Sequence, residues 1–141
     1  MPHKQRFLLL IAVIAFATIT LATMPTSIAL SATSSTKQQT FTIIVSRNGF
    51  NGTAGTFSLN VQQGDSVKIT FVYGDSDLSI DNPHAITIDG YGIHTVDIGK
   101  TNPTATVEFV ADESGTFKFY CYIPCLGMEN LQGTLVVTPT E

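Results

Sequence analysis

From residue 41 onward the sequence repeats one pattern: short runs with apolar side chains at every second position, broken by turn residues, and no stretch with the three-to-four spacing of an amphipathic helix. The clearest run is SVKITFVY, residues 66–73, with Val67, Ile69, Phe71 and Tyr73 on one face and Lys68 and Thr70 on the other. FTIIVS (41–46), TFSLNV (56–61), HAITI (84–88), IHTVDI (93–98), TATVEFV (104–110), GTFKFYC (115–121) and GTLVVT (133–138) read as further strands. RNGFNGTAG, QQGD, DGYG and the stretch carrying Asp75, Asp77 and Asp81 read as loops and turns. About eight strands at this spacing predict an all-β, antiparallel Greek-key sandwich or barrel. A pleated strand sends alternate side chains to opposite faces, so GTFKFYC points Phe117, Phe119 and Cys121 inward and Lys118 outward. The buried stripe of that strand ends on a thiol.

That thiol belongs to FYCYIPCLGMENLQGTLVV, residues 119–137, which holds the only two cysteines of the chain, Cys121 and Cys125. A disulfide, a metal site and an accidental pair are all compatible with the spacing. A loop this short gains little from cross-linking, ~2 kcal/mol by loop entropy, so a staple here is poorly placed. The donors that could join the thiols are few: His84, His94, Met128 and, through oxygen, Glu129. His84 follows Asp81, Asn82 and Pro83 at the mouth of one strand, and Cys121 closes the far end of another. In a Greek-key sandwich two such positions can meet at one end. Thiolate, imidazole and thioether together suit copper, with a long, weak thioether bond tuning the potential. A catalytic zinc wants three firm ligands and an open position; only His84 and the two thiols could supply them, which disfavours it. His94 reads as an ordinary strand residue, and the three aspartates as a polar loop rather than a hard-cation site.

The N-terminus is different in kind. Lys4 and Arg6 precede an uncharged apolar run, residues 7–23, followed by small residues at Ala29, Ser31 and Ala32. This pattern reads as an export signal. Extended to Leu30, the run is also long enough to span a bilayer as one hydrophobic helix, which takes ~20 apolar residues. A cleaved signal and a retained anchor over residues 1–30 both fit, and the length favours the anchor. Either way the basic start stays on the cytoplasmic side, and the β domain, residues 41–141, is expected outside, after a Ser/Thr-rich linker over residues 31–40. Beyond the N-terminal segment the basic residues are Lys37, Arg47, Lys68, Lys100 and Lys118, against eleven acids. With no basic stripe, nucleic-acid binding is excluded as a function class. The acidic surface permits a positively charged protein partner.

HAITIDGYG followed by CYIPCLGMENLQGTLVV resembles the cupredoxin domain of cytochrome c oxidase subunit II and its relatives, the CuA domains. The pattern of that family is an early histidine in H-x-x-x-x-[DE]-G, then C-x-x-x-C-G-x-x-H-x-x-M, then G-T-[LI]-x-V. The resemblance implies a cupredoxin-like fold and copper, one or two ions, held by His84, Cys121 and Cys125, with the backbone carbonyl of Ile123 alongside. The second histidine is missing. Counting forward from Cys125 puts Glu129 in its place and Gln132 at the methionine position. Counting back from Gly133, with one residue deleted, puts Met128 at the histidine position and Leu131 at the methionine position, and keeps GTLVV in register. A thioether replacing imidazole favours Cu(I) and a higher potential, whereas a carboxylate favours Cu(II). A mononuclear centre of cysteine, His84 and Met128 is the simpler alternative.

The resemblance implies one-electron transfer in a respiratory chain, between a small carrier protein and a membrane oxidase subunit. The chain alone has no nucleophile–base pair and is not read as a catalyst, though it fits the electron-accepting subunit of a haem–copper oxidase. A Cu(I) chaperone or storage module uses the same residues. A metal-free, disulfide-bonded accessory subunit of a membrane complex is the structural alternative.

Overall fold

The computed structural model describes residues 36–75 and 79–140. The N-terminal segment, with its expected hydrophobic helix, lies outside the described residues; within them no helix is long and apolar enough to cross a membrane. The strands are β1 (Gln38–Ser46), β2 (Gly49–Phe50), β3 (Phe57–Gln62), β4 (Ser66–Tyr73), β5 (Ile86–Ile88), β6 (Ile93–His94), β7 (Thr104–Val110), β8 (Gly115–Cys121) and β9 (Gln132–Thr138). A 3-10 turn, Met128–Asn130, is the only helical element among the described residues. The strands form two sheets, ordered β2-β1-β4-β7 and β3-β9-β8-β5-β6.

The all-β expectation holds, but the sandwich is not wholly antiparallel. β1 runs parallel to β4, Gln38 opposite Ser66 through Val45 opposite Tyr73, and β3 runs parallel to β9. After the β1–β2 hairpin the chain crosses to the other sheet as β3 and returns as β4, which brings β4 beside β1 in the same direction. Period-two alternation is the same in either pairing, so the direction is invisible in the sequence. β1 also starts at Gln38, inside the stretch read as linker, because its backbone pairs with β4 whatever its polar side chains prefer.

Two further expectations are corrected. RNGFNGTAG contains β2, whose Phe50 is fully buried. IHTVDI shrinks to Ile93–His94, because the Thr95 hydroxyl accepts the Ile86 N–H at 2.8 Å and takes the place of a ladder carbonyl. Beyond it, Ile98 forms an isolated bridge to His84, with backbone hydrogen bonds of 2.7 and 2.9 Å, although HAITI enters the ladder only at Ile86.

The core lies between the sheets. The inward positions of β4 are as read from the sequence, with Val67, Ile69 and Phe71 buried and Tyr73 half-buried at the strand's end. Phe50 joins the sheets, its ring centroid 4.7 Å from Phe119 on β8 and 6.5 Å from Phe71 on β4. Each such ring contributes about 1.5–3 kcal/mol by leaving water. On β8, Phe119 and Cys121 are buried and Lys118 is exposed. The ends of β4 and β8 and the approach to β5 converge, with the Tyr73 ring 6.0 Å from that of His84.

Candidate metal centre

Cys121, the last residue of β8, pairs with Ile86 of β5 across the ladder. The chain leaves the sheet at Tyr122, whose N–H donates to the Ala85 carbonyl at 2.9 Å, and turns back through Pro124. The turn brings the Cys125 sulfur to 3.1 Å from that of Cys121, and both are free thiols. The disulfide of the structural alternative is therefore absent. The Cys121 thiol also donates to the Ile123 carbonyl at 3.4 Å, so the carbonyl named from the sequence faces the sulfurs.

His84 completes the group. A ring nitrogen of His84 and the two sulfurs all lie within 4.8 Å of one another, and the imidazole is fully buried. Its Nε2 is engaged by Asp75 Oδ2 at 2.7 Å. An ionised carboxylate only accepts, so Nε2 carries a proton, and in the neutral imidazole Nδ1 keeps its lone pair. Nδ1 is buried and has no hydrogen-bond partner by geometry, although the imidazole is close enough to Cys121 to draw that thiol's pKa down.

Asp75, a polar-loop residue by its sequence, is 1% exposed and belongs to the site. Oδ1 accepts the Arg47 N–H at 2.9 Å, and Oδ2 accepts from Asn82 Nδ2 at 2.8 Å as well as from His84. Burial alone would raise its pKa, but these hydrogen bonds outweigh it and hold the carboxyl below its usual value. Burial opposes charge on His84 too, and contact with Cys121 and Asp75 more than offsets it, so its pKa is raised. Between the thiols the protons are divided unequally. For Cys121, burial is outweighed by hydrogen bonds led by His84, and its pKa falls. For Cys125, burial and the neighbouring Cys121 act together and push it up to about 12.

Asn82 ties the two ligand-bearing loops together. Its Oδ1 accepts the Leu126 N–H at 2.8 Å, and its Nδ2 donates to the Leu126 carbonyl at 3.2 Å as well as to Asp75. The hydroxyl of Tyr73 accepts the Asn82 N–H at 3.1 Å. Next comes Gly127 at φ +77°, where any Cβ would run into the Arg47 backbone. The glycine that the family pattern puts directly after the second cysteine is thus one residue later.

Met128 opens the 3-10 turn, its N–H donating to the Cys125 carbonyl at 3.3 Å, and it lines a groove of about 600 Å³ together with Cys121, Tyr120 and Glu129. Glu129 is exposed, and its charge adds to the upward shift of Cys125. Leu131, the methionine position in the favoured register, is fully buried in the core. His94 is exposed on β6 against Tyr122, ring centroids 5.4 Å apart, and is not in the group. Asp81 caps the Lys100 N–H, and Asp77 lies outside the described residues. Asp75 and Asn82 had no local signal: one is an aspartate among several, and their partners are fixed only by the fold.

A two-sheet sandwich with histidine and cysteines gathered at one end defines the cupredoxin class. The family described as Cupredoxin-like domain matches residues 9–137, and the chain belongs to it. Similar solved structures include a multicopper oxidase, mgLAC, at 22% identity and TM-score 0.61 over 74% of this chain and 40% of that one. A copper nitrite reductase from Nitrosomonas europaea matches at 19% and 0.58, over 74% and 43%. A blue copper oxidase from Nitrosomonas europaea matches at 19% and 0.55, over 74% and 40%. The chain spans less than half the length of these structures, and at such identities the likeness is one of fold. No curated protein sequence matches the chain.

Proposed function

We propose that the chain is an extracytoplasmic copper-binding electron-transfer protein, its copper held by His84 Nδ1 and the sulfurs of Cys121 and Cys125, with Met128 and the Ile123 carbonyl as weak further donors. One observation carries this reading: a buried imidazole whose Nδ1 has no hydrogen-bond partner brings a ring nitrogen within 4.8 Å of two sulfurs that are not bonded to each other. A buried acceptor left without a donor is costly. A soft cation is the partner that nitrogen and both sulfurs can take at once, so the residues present fit copper. Bound copper would supply a one-electron redox couple. The chain's own part is to keep the donors still. The Ile98 bridge fixes the His84 backbone, the β5–β8 ladder fixes Cys121, and Asn82 fixes the turn that carries Cys125.

The finer likeness to the copper domain of cytochrome c oxidase subunit II belongs to the same proposal. His84, Cys121, Cys125 and the Ile123 carbonyl correspond to four of its donors, and Met128 stands where the second imidazole would be. A thioether there favours Cu(I) and raises the potential. The number of coppers, one or two, follows from whether the second thiolate bridges, and a metal count per chain reads it directly. The N-terminal apolar segment supports an extracytoplasmic location, as a membrane-anchored or exported domain. The acidic surface suits a basic redox partner, a small electron carrier on one side and a membrane oxidase subunit on the other.

The test is copper loading of the reduced full-length protein followed by oxidation. Intense visible thiolate-to-copper absorption, with both thiols lost to a thiol reagent, is the expected result. Copper that does not bind, or binds while both thiols stay reactive, contradicts the assignment. A second reading, Cu(I) handling, draws on Met128, which is 41% exposed beside the groove that reaches Cys121. It predicts colourless protein whose copper passes readily to a Cu(I) chelator.

A further inference from the structure

We infer that Asp75 is a positioning residue that fixes the tautomer of His84: by accepting from Nε2 it forces the Nδ1 lone pair toward the two sulfurs. This rests on the proposed metal centre for its purpose, but the tautomer is a property of the metal-free chain. An imidazole of neutral charge carries one proton, and which nitrogen bears it is set by what the other meets. Asp75 Oδ2 lies 2.7 Å from Nε2 with both side chains buried, and water, the usual alternative partner, is excluded. The carboxylate cannot rotate away, because Oδ1 is held by the Arg47 N–H and Oδ2 is shared with Asn82 Nδ2. Three donors thus converge on two oxygens that have no proton to give. An asparagine there would offer one acceptor oxygen and an NH₂ group, which would face the Arg47 N–H from the Oδ1 position, or Asn82 Nδ2 and Nε2–H together from the Oδ2 position. In the second orientation the imidazole relieves its conflict by moving its proton to Nδ1, which turns an N–H on the sulfurs and blocks the metal.

The arrangement reaches further than the imidazole. Asn82 joins Asp75 to both backbone groups of Leu126, next to Cys125, so the carboxylate that aims His84 also anchors the loop holding the second sulfur. A partner of this kind changes metal affinity by about 10–100-fold when removed.

The experiment is ¹⁵N–¹H NMR of the imidazoles in the metal-free, reduced full-length protein, at a pH above the titration of the imidazolium. For the wild type the expected spectrum has His84 as the Nε2–H tautomer, with Nδ1 unprotonated and the Nε2 proton slow to exchange. In Asp75→Asn, and in Asp75→Ala as a second variant, a substantial Nδ1–H population is expected. Cu(I) affinity, measured by competition with a chelator, is expected to fall about 10–100-fold. A wild-type spectrum with His84 protonated at Nδ1 overturns the inference even if neither variant folds. So do folded variants that keep the Nε2–H tautomer. If the wild type binds no copper but shows the Nε2–H tautomer and its loss in the variants, the proposed function fails and the role of Asp75 stands.

Discussion

The sulfurs of Cys121 and Cys125 lie 3.1 Å apart with no bond between them, and the thiol of Cys121 leans toward the Ile123 carbonyl at 3.4 Å. Two thiols this close cannot both ionise freely, since the first thiolate raises the cost of the second. Their protons therefore leave in two steps that belong to the pair. His84 draws the first step down at Cys121, and burial together with the new charge pushes the second, at Cys125, to about 12.

This division predicts an alkaline instability of the metal-free protein. The Cys125 thiol, which would titrate near 9.0 if unperturbed, is pushed up to about 12 in the fold. Between those values the unfolded chain releases a proton that the folded chain retains, so rising pH favours unfolding. Burial of Tyr73 and Tyr91 raises their pKa values too and acts in the same direction. Denaturant midpoints measured from pH 9 upward should fall, and Cys125→Ser should flatten the decline. A midpoint that stays constant, or a decline that the variant leaves unchanged, removes the assignment.

Gly127 is predicted to set the ligand turn. Gly127→Ala should cost about 1–2 kcal/mol for the left-handed backbone and more for the collision with the Arg47 backbone. Gly92→Ala is the control: it has φ +61° and nothing within 4 Å of a new Cβ, so only the first cost applies. Thermal unfolding of the two variants compares them. Equal destabilisation would mean the Arg47 contact gives way freely.

Asn82→Ala should release the Cys125 turn from the His84 loop. The Leu126 N–H and carbonyl lose their partner, and Asp75 loses one donor. The expected loss is about 1–3 kcal/mol, together with faster alkylation of Cys125 than in the wild type. A thiol reactivity identical to that of the wild type would show that the turn is held by other contacts.

Much of the fold was legible because burial imposes a period of two. β4, β7 and β8 fall on SVKITFVY, TATVEFV and GTFKFYC, and the inward course of Phe119 to Cys121 follows from alternation alone. β2 was not legible, since two residues inside a glycine- and asparagine-rich loop carry no period. Nor was strand direction, which alternation leaves free. At the site, His84 and the cysteines were legible because soft donors are few in this chain. Asp75 was not, because a buried carboxylate and a loop carboxylate look alike until the partner, nine positions along at His84, is brought back onto it.

Phe119→Ala should test whether the core and the site are one unit. The ring packs on Phe50 at 4.7 Å and on Phe57 at 5.9 Å, two positions before Cys121 on the same strand face. The expected cost is about 3–5 kcal/mol, with the alkylation rate of Cys121 rising in the same variant. A destabilised protein with an unchanged Cys121 rate would separate the two.

In the proposed centre one imidazole and two sulfurs converge on copper at the end of the sandwich. Electron paramagnetic resonance of the oxidised, copper-loaded full-length protein, run beside His84→Ala with copper counted in both, tests it most directly. The expected result is a copper–thiolate signal in the wild type that disappears in the variant, with copper content reduced and the β-sheet circular dichroism retained. The same signal and the same copper content in His84→Ala would contradict it.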